Sequence, residues 1–228
     1  MTYSEFIEEL QGYAEQEYAE FHRRLTPTKY MILGIRVPIM RKIAKRFKED
    51  IAIQALLSFP NEYYEVVFIK LTVISALPYS QFIEHLETSV DLIDNWAHCD
   101  SFKAKCILKH REEFLIHLEK IFNKCGEFHE RYVLVTLLNA YVEKKYYPII
   151  LQYIKKADTA YYYVHMAVAW LTAEILIKDY DYGVDLLRQN IFNEKTHNKA
   201  IQKAIESYRL TNDQKEHLRS LKIKNKNI

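Results

Sequence analysis

Two tryptophans occur in the 228-residue chain, and one of them, Trp96, stands four residues ahead of Asp100 in the run Asn95-Trp96-Ala97-His98-Cys99-Asp100. On a helix this spacing sets an indole face beside a carboxylate. An electron-rich ring next to an anion suits a cationic, ring-shaped target. Arg131, an arginine inside an apolar segment, and the second tryptophan, Trp170, follow at repeat-like distances. Each residue also has a plainer reading. Trp170, among Met166, Ala167 and Ala173, could be core. Asp100 could cap a helix carrying Ser101 to Lys109, and Arg131 could pair with Glu127 four residues earlier.

Other chemistries have weaker signals. Cys99, Cys106 and His110 are seven and four residues apart, a helical face that could hold zinc with His98 nearby, but no C-x-x-C pair or H-E-x-x-H run is present. We therefore assign no metal site. No glycine-rich phosphate loop occurs, and no cofactor is implied. The consecutive Tyr161, Tyr162 and Tyr163 read as packing between repeats, with an aromatic lining for nucleic acid as the alternative.

The elements that must position these residues read as helices. Four glycines and five prolines are too few for many short strands and tight turns, so the fold class is all-α. Thr2 to Glu5 fits a capping box opening an acidic first helix. Gly34 offers a C-terminal stop, and Pro38 a first-turn proline. In the helix that follows, Met40, Ile43, Ala44 and Phe47 form the apolar stripe. Arg41, Lys42, Lys45, Arg46 and Lys48 fill its other faces, the densest basic cluster in the chain. Its two readings are a solvated surface and a phosphate-contacting one.

Helical spacing predicts further helices near 51–59, 62–77, 79–93, 98–109, 111–124, 128–144, 147–156, 161–178, 182–190, 196–207 and 212–221. Segments 62–77 and 131–142 are apolar nearly all round, as inner-layer helices are. No linker rich in Gly, Pro or Ser divides the chain, so residues 1–228 read as one domain, with a frayed basic tail over 222–228. Net charge is +2, which neither requires nor excludes nucleic acid. Three cysteines in no framework spacing, no signal peptide and no membrane-length apolar run predict a cytoplasmic protein with no membrane partner.

The anchors Trp96, Arg131 and Trp170 lie 35 and 39 residues apart. Such intervals match two-helix repeats of the HEAT or armadillo kind, at about 40 residues each. The expected architecture is an α-α superhelix, a right-handed solenoid of irregular repeats whose inner helices line a concave face. Trp96, Asp100, Arg131 and Trp170 are expected to converge on that face.

Leu33-Gly34-Ile35-Arg36-Val37-Pro38 followed by Arg41, then Trp96-x-x-x-Asp100, His129-Glu130-Arg131 and Ala167-Val168-Ala169-Trp170, in this order, resemble the bacterial AlkD-like DNA alkylation repair proteins. The resemblance runs from about Thr26 to about Arg209. It implies a monofunctional DNA glycosylase on HEAT-like repeats that removes cationic N3- or N7-alkylated purines, such as 3-methyladenine or 7-methylguanine, from double-stranded DNA. It implies no metal or nucleotide cofactor, and a lesion that need not be flipped into a pocket. Carried over by position, Trp96 and Trp170 would pack on the deoxyribose. Asp100 would stabilise the sugar cation and orient a water, and Arg131 would hold a phosphate. Arg36, Arg41, Lys45, Lys103, Lys199 and Lys203 are the expected DNA-binding cations, and a monomer the expected state. The chain departs from the family at the N-terminal aromatic beside the lesion, where Leu25 stands near the expected place. Arg36 replaces a polar amide of some members. The alternative is a HEAT-like module that binds DNA structure or a protein segment without chemistry.

Overall fold

The computed structural model describes residues 1–224. The last four residues of the expected tail lie outside them. Fourteen α-helices and two short 3₁₀ turns make up the described chain, and its only β feature is an isolated bridge between Met31 and Tyr63. The fold is all-α and built of helix pairs. None of the described helices is long and apolar enough to cross a membrane. Backbone contacts divide the chain into two compact units, Met1–His110 and Arg111–Ile228.

The first unit holds α1 (Tyr3–Gln11), α2 (Gln16–Leu25), α3 (Val37–Ala44), α4 (Asp50–Ser58), α5 (Tyr64–Ile74), α6 (Tyr79–Asp91) and α7 (Trp96–Ser101). The expected capping box is present: Thr2 Oγ1 accepts from Glu5 N and Glu5 accepts from Thr2 N. The acidic first helix is nonetheless broken at Gly12, and a separate α2 follows from Gln16. Gly34 is not a helix stop. It has φ +89° in the extended stretch before α3, pressed so closely on α2 that a Cβ would meet the backbone of Glu15 and Ala19. Pro38 does lie in the first turn of α3.

α5 is apolar nearly all round and buries all its residues but Thr72, because α3 and α7 flank it while α4 and α6 pack against it. Its two buried charged groups are fully engaged. The Glu65 carboxylate accepts from the backbone N–H groups of Leu33, Gly34 and Ile35 at 3.1, 2.8 and 3.3 Å, which fastens the approach to α3. Lys70 Nζ donates to Leu57 O, Phe59 O and Asn61 Oδ1, closing the carbonyl end of α4. Burial pushes its pKa down to about 8.

The second unit holds α8 (Arg111–Asn123), α9 (Glu127–Ala140), α10 (Tyr147–Lys156), α11 (Tyr162–Lys178), α12 (Tyr180–Arg188), α13 (Glu194–Ile205) and α14 (Asn212–Ser220). α11 lies between α9 and α13. The starts of these three helices are stitched together: Tyr163 N donates to Glu127 Oε1 at 2.7 Å, and His165 Nδ1 meets Thr196 Oγ1 at 2.9 Å. α13 begins at Glu194, two residues before the expected start at 196, because Asn193 caps it. Lys222 and Ile223, within the expected tail, bond to Gln202 and Asn198 of α13.

The inner helices from α5 onward begin at Tyr64, Trp96, Glu127, Tyr162 and Glu194, at intervals of 32, 31, 35 and 32 residues. This period is shorter than the 40 or so read from the anchor residues. The anchors overstate it because they do not occupy equivalent positions. Trp96 is the first residue of its helix, Arg131 the fifth and Trp170 the ninth, so each successive anchor sits about one turn further along.

Candidate functional site

In the first unit the expected helix 98–109 does not form as one element. α7 covers Trp96–Ser101, residues 102–104 belong to no regular element, and a 3₁₀ turn covers Lys105–Lys109. This overturns the reading of Asp100 as a helix cap. Asn95 caps α7, its Oδ1 accepting from His98 N at 2.9 Å, and Asp100 lies in the last turn. A carboxylate gains nothing from the helix dipole at that end, so helix stability does not explain its presence. Trp96 and Asp100 are both half-buried, and the i,i+4 spacing puts them on one face of α7.

Trp96 is held from one side. Its Nε1 donates to Leu25 O at 3.0 Å, and Leu25, 53% exposed, ends α2. The segment after α2 is clasped to the turn before α7 by Asp94, which accepts from Thr28 Oγ1, Lys29 N and Asn95 Nδ2 at 2.7–2.9 Å. Tyr30 Oη adds a bond to Leu92 O. Beneath lies His98, fully buried and stacked on Tyr64 with ring centroids 4.2 Å apart. Because Asn95 Oδ1 is occupied as an acceptor, its Nδ2 donates to His98 Nδ1, which leaves Nε2–H to donate to Tyr64 O at 3.1 Å. The ring is therefore neutral. Burial, against the pull of Asp94, holds its pKa down at about 3.

The basic helix α3 and its neighbours divide into two sets. Arg36 forks onto Glu15 at 2.8–3.2 Å and lies over the Tyr18 ring, and Arg46 forks onto Glu9. Arg41, Lys45 and Lys48 instead line a cleft of about 1040 Å³ together with Lys103 and Lys105. Its floor includes Ala44, Phe47, Ile53, Val73 and Leu77, and Asp50 is its one acid. Among the described residues, no carboxylate comes within 4 Å of Arg41, Lys45, Lys48 or Lys105. The structure thus brings Arg41, Lys45 and Lys103 together and leaves Arg36 neutralised elsewhere.

In the second unit Arg131 is 6% exposed. It donates from Nη1 to Tyr163 O at 2.8 Å and lies 5.8 Å from the Tyr163 ring centre. Glu127, the alternative partner read from the sequence, accepts from Tyr163 N. Trp170 is half-buried between the buried Ala169 and Leu171, on a stripe with Met166 and Glu174 that is less covered than the rest of α11. Glu174 repeats the Trp-x-x-x-acid spacing of Trp96 and Asp100, a spacing visible in the sequence. Its carboxylate is gripped by both terminal nitrogens of Arg209, at 2.9 and 2.7 Å. Lys203 pairs with Glu206 at 3.1 Å. Lys199 and Lys195 both depress the His165 pKa, after burial, the larger cause.

The cysteines do not gather: Cys99 is buried, Cys106 half-buried at the cleft and Cys125 exposed. His110 stacks on Tyr79 at 4.0 Å. Among the described residues, no three His, Cys, Asp or Glu side chains lie close enough to share a metal ion.

A comparison with curated proteins returned no match. The profile of the family described as "DNA alkylation repair enzyme" matches residues 6–208, nearly the whole chain and both units. The match covers well over half of the sequence, and the chain belongs to the DNA alkylation repair enzyme family.

Proposed function

We propose that the protein is a monofunctional glycosylase that hydrolyses the N-glycosidic bond of cationic N3- or N7-alkylated purines, such as 3-methyladenine and 7-methylguanine, in duplex DNA. It works as a cytoplasmic monomer without metal or nucleotide cofactor. The observation that carries the reading is the α7 pair: an indole whose one polar atom is tied to Leu25 O, with Asp100 a turn away on the same face.

The chemistry asks little more. An alkylated purine already bears positive charge, so the C1′–N bond breaks with its electron pair going to a base that leaves neutral. The barrier lies in the positive charge that develops on the deoxyribose. The ring face of Trp96 and the carboxylate of Asp100 stabilise that cation, and the family resemblance alone assigns Trp170 to the same sugar. A water oriented by Asp100 then adds to C1′ and gives up a proton, leaving an abasic site. Arg41, Lys45 and Lys103 in the first unit, and Arg131, Lys199 and Lys203 in the second, hold backbone phosphates. Arg36 and Lys203 contribute only where a phosphate displaces Glu15 and Glu206.

The assay is release of 7-methylguanine from methylated duplex DNA, with Asp100→Asn as the control. Wild type should release base and the variant should be slower by roughly 10²–10³ in kcat, the usual cost of removing one preorganised electrostatic group. Equal release by the two proteins sinks the enzyme reading. Salt-dependent DNA binding that survives Asp100→Asn without any base release would instead favour a non-catalytic DNA-binding module.

A further inference from the structure

We propose that the cleft of the first unit is a distal anchor that grips the sugar–phosphate backbone of one DNA strand several base pairs from the lesion, and that Lys48 and Lys105 belong to it. The proposal rests on the reading of duplex DNA as the ligand, but not on base excision.

Place and chemistry argue for it together. His98 ties the start of α7, and with it Trp96, to the start of α5 through Tyr64 O. The cleft is built at the other end of α5, around Thr72, Val73 and Ser75. An 11-residue helix is about 16 Å long at 1.5 Å per residue. That length corresponds to roughly five base pairs of B-form DNA. Five cations face the cleft against the single acid Asp50, in a chain whose net charge is only +2. On either side of α3, Arg36 and Arg46 are neutralised by Glu15 and Glu9. The positive charge is thus concentrated in the recess rather than spread over the surface. A polyanion fits the cations, and the apolar faces of deoxyribose fit the floor. The grip would set the register of the duplex while leaving the reacting sugar at the α7 end.

The test is a Lys48→Glu/Lys105→Glu double variant, compared with a Lys155→Glu/Lys156→Glu variant that makes the same charge change on the exposed face of α10. Both pairs are exposed, and thermal melting checks that both proteins fold. Binding to undamaged duplex DNA is read by anisotropy across a salt series. The cleft variant should bind at least tenfold more weakly, and its slope of log K against log salt should flatten by about 2, one counterion per lost phosphate contact. In base release it should raise KM and leave kcat unchanged, and a duplex truncated within about two base pairs of the lesion on the cleft side should mimic it. Unchanged slope and affinity, or equal losses in the α10 variant, overturn the proposal. So does loss of affinity for polyglutamate with duplex binding intact. Wild-type binding with a cleft-dependent slope but no base release would sink the glycosylase reading and leave the anchor standing. Base release with a slope indifferent to the cleft would do the reverse.

Discussion

Trp96 uses its indole N–H on the carbonyl of Leu25, which leaves the ring face as the part of the residue that can meet a ligand. Trp96→Phe keeps a face and loses the tether, whereas Trp96→Ala loses both. Base release should therefore fall in the order wild type, Phe, Ala, with the larger step at Ala, and equal rates for Phe and Ala would show that the face is not used. The two Trp-x-x-x-acid pairs are set apart by their surroundings. Glu174 already serves a buried-side ion pair with Arg209, its side chain 15% exposed, so its charge is spent and a sugar cation gains little from it. Glu174→Gln should change kcat less than about threefold while Asp100→Asn costs roughly 10²–10³. Comparable losses from both would show that the chemistry does not single out Asp100.

At the scale of elements, the stretch from Thr26 to Ile35 has no helix of its own, and two carboxylates fasten it. Asp94 clasps residues 28 and 29, and Glu65 clasps residues 33 to 35. Because Leu25 O fixes Trp96, Asp94 positions the indole without touching substrate. Asp94→Ala should lower kcat in base release and shift the emission of Trp96, read in a Trp170→Phe background, while Asp94→Asn, which keeps one acceptor oxygen, should recover part of both. Unaltered emission with lost activity would rule out this route. Gly34→Ala is expected to cost about 3 kcal/mol, since φ +89° disfavours any side chain and the new Cβ would collide with Glu15 and Ala19. A drop of several degrees in Tm checks it.

These elements also mark how far the sequence could be read. α5 and most of α9 were legible because segments 62–77 and 131–142 are apolar nearly all round, a property each segment carries by itself. α7 was not, since residues 102–104 contain neither Gly nor Pro and leave the helix where Phe102 and Ala104 are buried. The Trp96–Asp100 spacing is local and was visible. The Trp96–Leu25 and Asp94–Lys29 bonds join residues 71 and 65 apart. Likewise, Glu15 and Glu9 neutralise two cations of the basic cluster across 21 and 37 residues. No pattern in one segment encodes such partners.

Across the whole molecule, stability should depend on pH through histidines that the fold keeps neutral. Burial lowers the pKa values of His22 and His98 in the first unit and His165 in the second, with His98 reaching about 3. In the unfolded chain each returns to its ordinary value near 6.5. Between those values the unfolded state binds more protons, so stability rises with pH, is fully present above about 6.5 and is lost as pH falls toward the folded pKa. Glu65 and Glu130 work the other way. Burial raises both pKa values, so the native state takes up their protons first and gains stability on acidification. Comparing wild type with His98→Gln cancels the carboxylates, because both proteins retain them. The wild type should lose up to about 1.4 kcal/mol per pH unit more than the variant between pH 6 and 4, the weight of one proton. Thermal or urea unfolding at steps across that window measures the difference, and parallel stability curves for the two proteins would mean that His98 is protonated in the native state.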